Sequence, residues 1–174
     1  MLTNAASLVT LPLMPTSPAD PAMRTILADM VVAYASALDD RDWALMRSLL
    51  MDPVEIDYSS MGSIRETIAV DAWLKRLDTL KGFDATQHVV TNFRVAAQAD
   101  EATCTSYVNA LHFLTEDGRE HVAHACGAYV HGFVRTPDGW RIRKATFRLI
   151  GHQNGARAFQ DAFAIARARA ARQP

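Results

Sequence analysis

Five side chains spread over the first two thirds of this chain carry residue types suited to proton chemistry. Tyr34 and Asp39 stand in YASALDDRDW, Tyr58 in EIDYSS, His88 in TQHVVTN and His112 in NALHF. An imidazole can remove a proton from carbon, and a carboxylate can hold that imidazole in one tautomer. Phenols can donate hydrogen bonds to an oxygen that gains charge. A second imidazole, if protonated, could hand a proton to a departing group. Only Tyr34 and Asp39 are close in sequence, so a fold has to gather the set.

Spacing alone leaves a bland reading open for each residue. Five helical residues turn through about 140° net, so Tyr34 and Asp39 do not share a face but can both border a cavity at a helix end. Asp39 in DDRD also reads as a turn or cap, and Asp40 and Asp42 as solvent-facing or capping residues. His88 and His112 also read as packed histidines on half-apolar strand faces, and Tyr58 as a structural tyrosine with its hydroxyl at a rim. His121 and His124 are three apart in a strand and face opposite sides. His131 and His152 lack acidic neighbours in sequence. A zinc site built from Asp39, His88 and His112 has no HxxxH or HxH spacing behind it. Neither a metal nor an organic cofactor is expected.

The elements that must position these residues follow from periodicity. Met23, Ile26, Leu27, Met30, Val31, Tyr34 and Leu38 recur at helical spacing after the prolines at 18 and 21. Asp42 is placed to cap a short second helix carrying Trp43, Met46, Leu49 and Leu50, with Pro53 stopping it. VEIDYS reads as a short strand. Val70 to Phe83 reads as a third helix with Gly82 near its end. Four strand-like runs follow at about 86–98, 102–115, 121–136 and 139–152, joined by short turns, as in an antiparallel meander. Alternation puts His88, Val90 and Asn92 on one face, and Ser106, Val108, Ala110 and His112 on one face. Ala156 to Arg172 reads as a terminal helix. The layout is α+β, helices on one face of a bent sheet, which can leave a pocket for a small apolar ligand.

Composition narrows the class. The 174 residues favour one domain, with 49% apolar and 21% charged residues, a globular profile. A net charge of −1 without a basic stripe argues against nucleic acid. No apolar run is long enough for a membrane span. Residues 1–19 lack a basic start and carry Pro12 and Pro15, so they read as an arm rather than a signal, with a cytoplasmic location expected. Cys104 and Cys126, on separate predicted strands, read as reduced, packed thiols.

Taken in order, YASALDDRDW, IDYSS, TQHVVTN and DGWRI resemble the SnoaL-like branch of the nuclear transport factor 2-like superfamily over about residues 20–155, with 156–174 as a helical tail. Within it the pattern is similar to scytalone dehydratase, bile-acid 7α-dehydratase and hexachlorocyclohexane dehydrochlorinase. The resemblance implies a cone-shaped α+β barrel, three N-terminal helices on a curved mixed sheet with a C-terminal helix, assembled as a homodimer or homotrimer. It implies that Asp39 and His88 form the Asp–His pair of the family's elimination enzymes. Tyr58 matches a carbonyl-polarising tyrosine, His112 a second histidine, and Tyr34 a helix tyrosine. Arg148 is matched to a pocket arginine of the last strand. Asn92 and Tyr129 join it as candidate substrate contacts. Leu38 departs from a tyrosine of scytalone dehydratase, and Gly127–Val130 do not reproduce its serine–asparagine pair. The expected activity is a cofactor-independent dehydratase or related lyase on a cyclic, mostly apolar small molecule, polyketide- or steroid-like. A ketosteroid-isomerase-like enzyme and a non-catalytic binding or assembly subunit of the same fold stay open.

Overall fold

The computed structural model describes residues 19–172. Apart from Ala19, the expected N-terminal arm lies outside the described residues. Helix α1 (Pro21–Asp40) opens on a proline in its first turn, where no backbone donor is lost. Its inner stripe is Leu27, Val31, Tyr34, Ala35, Ala37 and Leu38, all buried. The helix ends because Arg41 turns left-handed, at φ 53°. Asp42 then caps α2 (Trp43–Leu49) by accepting the Leu45 N–H at 2.9 Å.

The chain passes straight from α2 into β1 (Leu50–Asp57). Pro53 therefore does not end the helix, as its sequence position suggested. It sits inside β1, where the ladder to the neighbouring strand is interrupted between Leu50 and Glu55 and no backbone donor is needed. A 3₁₀ turn, Ser59–Met61, leads to β2 (Arg65–Ile68), a four-residue edge strand not anticipated from the sequence. Helix α3 covers Val70–Leu77 and gives way to a 3₁₀ turn at Asp78–Gly82. Gly82 is less a helix stop than a gap: a Cβ there would lie 1.9 Å from the Ala166 carbonyl oxygen of the last helix. That close approach lets the C-terminal helix lie across the turn.

The meander is as expected: β3 (Ala85–Gln98), β4 (Glu101–Glu116), β5 (Arg119–Thr136) and β6 (Gly139–Gly151), then α4 (Gly155–Ala170). The six strands run in the order β2-β1-β6-β5-β4-β3 in one open sheet. Only β1 and β6 are parallel, so the sheet is mixed. Register shifts in β3, β5 and β6 let these long strands bend. The concave side carries Val108, Ala110, Leu114, Ala123, Ala125, Phe133, Ile142 and Ala145, buried in one core with the helices.

Alternation in β4 holds along its length, with Ser106, Val108, Ala110 and His112 buried and Tyr107 and Phe113 exposed. In β3 it breaks. Asn92 has φ 58° and sits in the register shift between Thr91 and Arg94. His88 and Val90 turn inward, but Asn92 is exposed and Phe93 and Val95 take over the inner face. The shared face expected for His88 and Asn92 is thus corrected by one extra residue in the strand. Among the described residues no helix is long and apolar enough to cross a membrane.

Candidate active site

Asp39 occupies the last turn of α1, and its side chain reaches β3. Oδ1 accepts hydrogen bonds from His88 Nδ1 at 2.6 Å and Thr86 Oγ1 at 2.9 Å, while Oδ2 accepts the His88 backbone N–H at 2.8 Å. Three donors from one strand fix the carboxylate. They also fix His88: Nδ1 carries the proton toward Asp39, and Nε2 is left with its lone pair. Burial alone would raise the Asp39 carboxyl. The hydrogen bonds from His88, its charge whenever the imidazole is protonated, and the hydrogen bond from Thr86 outweigh it and hold the carboxyl below its ordinary value. Oδ1 serves two donors and Oδ2 one.

His112 on β4 stands beside this pair, its ring 5.3 Å from that of His88 and at nearly right angles. Phe83 and Phe163 flank it at 5.1 and 4.9 Å. Its Nδ1 meets the Ala123 carbonyl at 3.2 Å, so Nδ1 donates and Nε2 keeps a lone pair. Burial, with His88 and Arg41 nearby, pushes its pKa down to about 3. His112 is therefore neutral near pH 7. The role of protonated acid raised from the sequence does not suit this environment.

A second polar group lies one and a half turns back along α1. Tyr34 and Tyr58 share a hydrogen bond of 2.9 Å between their hydroxyls. Tyr129 approaches Tyr34 edge-on at 5.8 Å, and Phe147 and Trp73 close around Tyr58 at 5.8 and 5.3 Å. Burial pushes the Tyr34 phenol up to about 12 and raises Tyr58 and Tyr129 well above the ordinary phenol value, with Tyr34 adding to the rise of both. All three stay protonated, and within the Tyr34–Tyr58 pair one hydroxyl donates to the other. Gly127 makes the packing feasible, since a Cβ there would meet the Phe147 ring at 2.5 Å.

Arg148 belongs to the other side of the sheet. It pairs with Ala128, whereas Tyr129 pairs with Phe147 on the concave face, and paired residues share a face. The expected pocket contact is corrected accordingly, and exposed Asn92 is not gathered in either. Two further residues, His131 and Arg41, stand at the site with no sequence signal for a role there. His131, fully buried, lies 4.9 Å from the Tyr34 ring and 5.2 Å from Tyr129, both ring nitrogens without a partner. Arg41 hydrogen-bonds the Asp39 carbonyl. His131 stood alone in an apolar run. Arg41 acts through backbone carbonyls about forty residues away in sequence, which no spacing reveals.

Residues 22–146 match the SnoaL-like domain family. An uncharacterized protein of Mycobacterium tuberculosis is 31% identical over 121 residues, covering 68% of this chain and 80% of its own length. A crystal structure of a Kribbella flavida protein superposes with a TM-score of 0.73 at 26% identity, covering 81% of this chain and 99% of that one. A proposed scytalone dehydratase from Novosphingobium aromaticivorans gives a TM-score of 0.66 at 21% identity, over 76% of this chain and 87% of the other.

Proposed function

The chain belongs to the SnoaL-like domain family, and we propose that it is a cofactor-independent dehydratase-like lyase acting on a cyclic, mostly apolar small molecule. The 2.6 Å contact between His88 Nδ1 and Asp39 Oδ1 carries this reading, because it leaves Nε2 as an oriented base. Likeness in fold to a proposed scytalone dehydratase supports it.

In this mechanism His88 Nε2 takes a proton from the carbon next to a carbonyl. Asp39 stabilises the imidazolium that forms. In the Tyr34–Tyr58 pair, held protonated by burial, one phenol donates to the other and the second donates toward the carbonyl oxygen as it gains charge. The electron pair then forms the C=C bond as the C–O bond to the hydroxyl breaks. The imidazolium returns its proton to the departing oxygen, so that water leaves and His88 is neutral again. His112, neutral, serves as a hydrogen-bond acceptor rather than as the acid. If the proton returns to another carbon instead, the same groups perform an isomerisation. The phenol pair suits both outcomes, since each passes through charge on oxygen. Exposed Val89, Tyr107 and Phe113 on the outer face support a homo-oligomer as its working form.

The test is a panel of cyclic hydroxy-ketones and steroid-like compounds, screened for thermal stabilisation and then for new ultraviolet absorbance. A conjugated product with loss of water is expected. A rearranged product of unchanged mass would establish the isomerase, and stabilisation without turnover a binding subunit.

A further inference from the structure

We infer that Arg41 is the positioning residue that holds the Asp39–His88 pair in register; the inference rests on the reading of that pair as the base. Arg41 occupies a left-handed position, φ 53° and ψ 33°, where glycine would be at ease and a side chain is strained. The strain is offset by what the guanidinium does. Nη1 donates to the Asp39 carbonyl at 2.6 Å, and Nη2 donates to the carbonyls of Leu80 and Phe83, both at 3.1 Å.

Those three carbonyls belong to the two segments the pair bridges. Asp39 ends α1. Leu80 lies in the 3₁₀ turn that feeds β3 and Phe83 just after it, Phe83 five residues before His88. The Asp39 carboxylate ties α1 to β3 from one side, and the Arg41 guanidinium ties it to the approach to β3 from the other. A planar fork can serve carbonyls in two directions at once, which an ammonium on a flexible stem does less well. Phe83, whose carbonyl is held, also packs its ring against His112. The clamp therefore reaches both histidines without touching either.

Arg41→Gly separates the clamp from the backbone, since glycine accepts the left-handed turn while the guanidinium is lost. The readout is the His88 Nδ1–H resonance in protein labelled with ¹⁵N-histidine, with its exchange rate against solvent. In the wild type a low-field, slowly exchanging signal is expected. In Arg41→Gly it should move upfield and exchange at least tenfold faster, while core amides of β4 and β5 keep wild-type protection. Arg41→Lys should fall between. With a substrate in hand, kcat should drop roughly tenfold to a hundredfold in Arg41→Gly at little-changed KM. Wild-type exchange in Arg41→Gly overturns the inference. If that variant does not fold, Arg41→Lys decides, and unchanged exchange there overturns it. Absence of the signal in the wild type would instead bring down the Asp39–His88 pair itself.

Discussion

Two stretches of one interior, both framed by α1 and the concave sheet face, treat polar atoms in opposite ways. At the Asp39 end, both carboxylate oxygens accept hydrogen bonds, and each donor comes from β3. At the Tyr34 end, His131 Nδ1 and Nε2 and Ser106 Oγ are buried without a partner. The first stretch keeps a charge by surrounding it with donors. The second suppresses charge: burial raises the phenols and pushes His131 down to about 3. A reaction that moves a proton and gathers charge on oxygen needs both, an ionised orienter for the base and neutral donors for the oxygen.

The largest effect that could break this contrast is on the ionised side. Asp39→Asn and His88→Ala should each cost about 10²–10⁴ in kcat/KM, measured by ultraviolet absorbance of the product, with the fold intact by circular dichroism. Next comes the neutral side. Tyr58→Phe removes one donor and should lower kcat by about 10², with a smaller change in KM.

A third effect sharpens the contrast through stability. His112 and His131 are neutral in the fold down to about pH 3, but titrate near 6.5 when unfolded. Between those values the unfolded chain binds the extra protons. Stability should therefore fall as pH drops through that window, by roughly 1 kcal/mol per pH unit for each histidine. Asp39 acts in the same direction, since its stabilisation is lost as pH falls through its depressed folded value. His131→Leu removes a buried base without partners and should flatten the acid limb in urea titrations between pH 4 and 7. It should leave stability at pH 8 within about 1 kcal/mol, because no hydrogen bond is lost. The smallest effect belongs to the surface. Arg157→Ala breaks an exposed pair with Asp161 on α4 and should change stability by less than about 0.5 kcal/mol.

The ionised stretch was the more legible of the two in sequence. The stripe of α1, the Asp42 cap and the inward row from Ser106 to His112 all follow from local periodicity and capping chemistry. Only motif order links Asp39 and His88 in sequence, because nothing in their spacing brings residues 49 apart together. The misreadings share a cause. Asn92 left its face because one left-handed residue shifts the phase of a strand, and alternation assumes a constant phase. The face of Arg148 depends on a register that only pairing with β5 defines. RETI is too short and too polar to signal an edge strand. His131 has no polar neighbour to mark it, and its meaning lies in what surrounds it in space.

The most direct test of the account follows the substrate's own carbon-bound proton. With a turned-over hydroxy-ketone in D₂O, NMR would compare the loss of that proton in the wild type and in His88→Ala. With His88 as the base, rapid loss is expected in the wild type and at least a hundredfold slower loss in the variant, with substrate still bound. Loss at the wild-type rate without the imidazole would contradict that role.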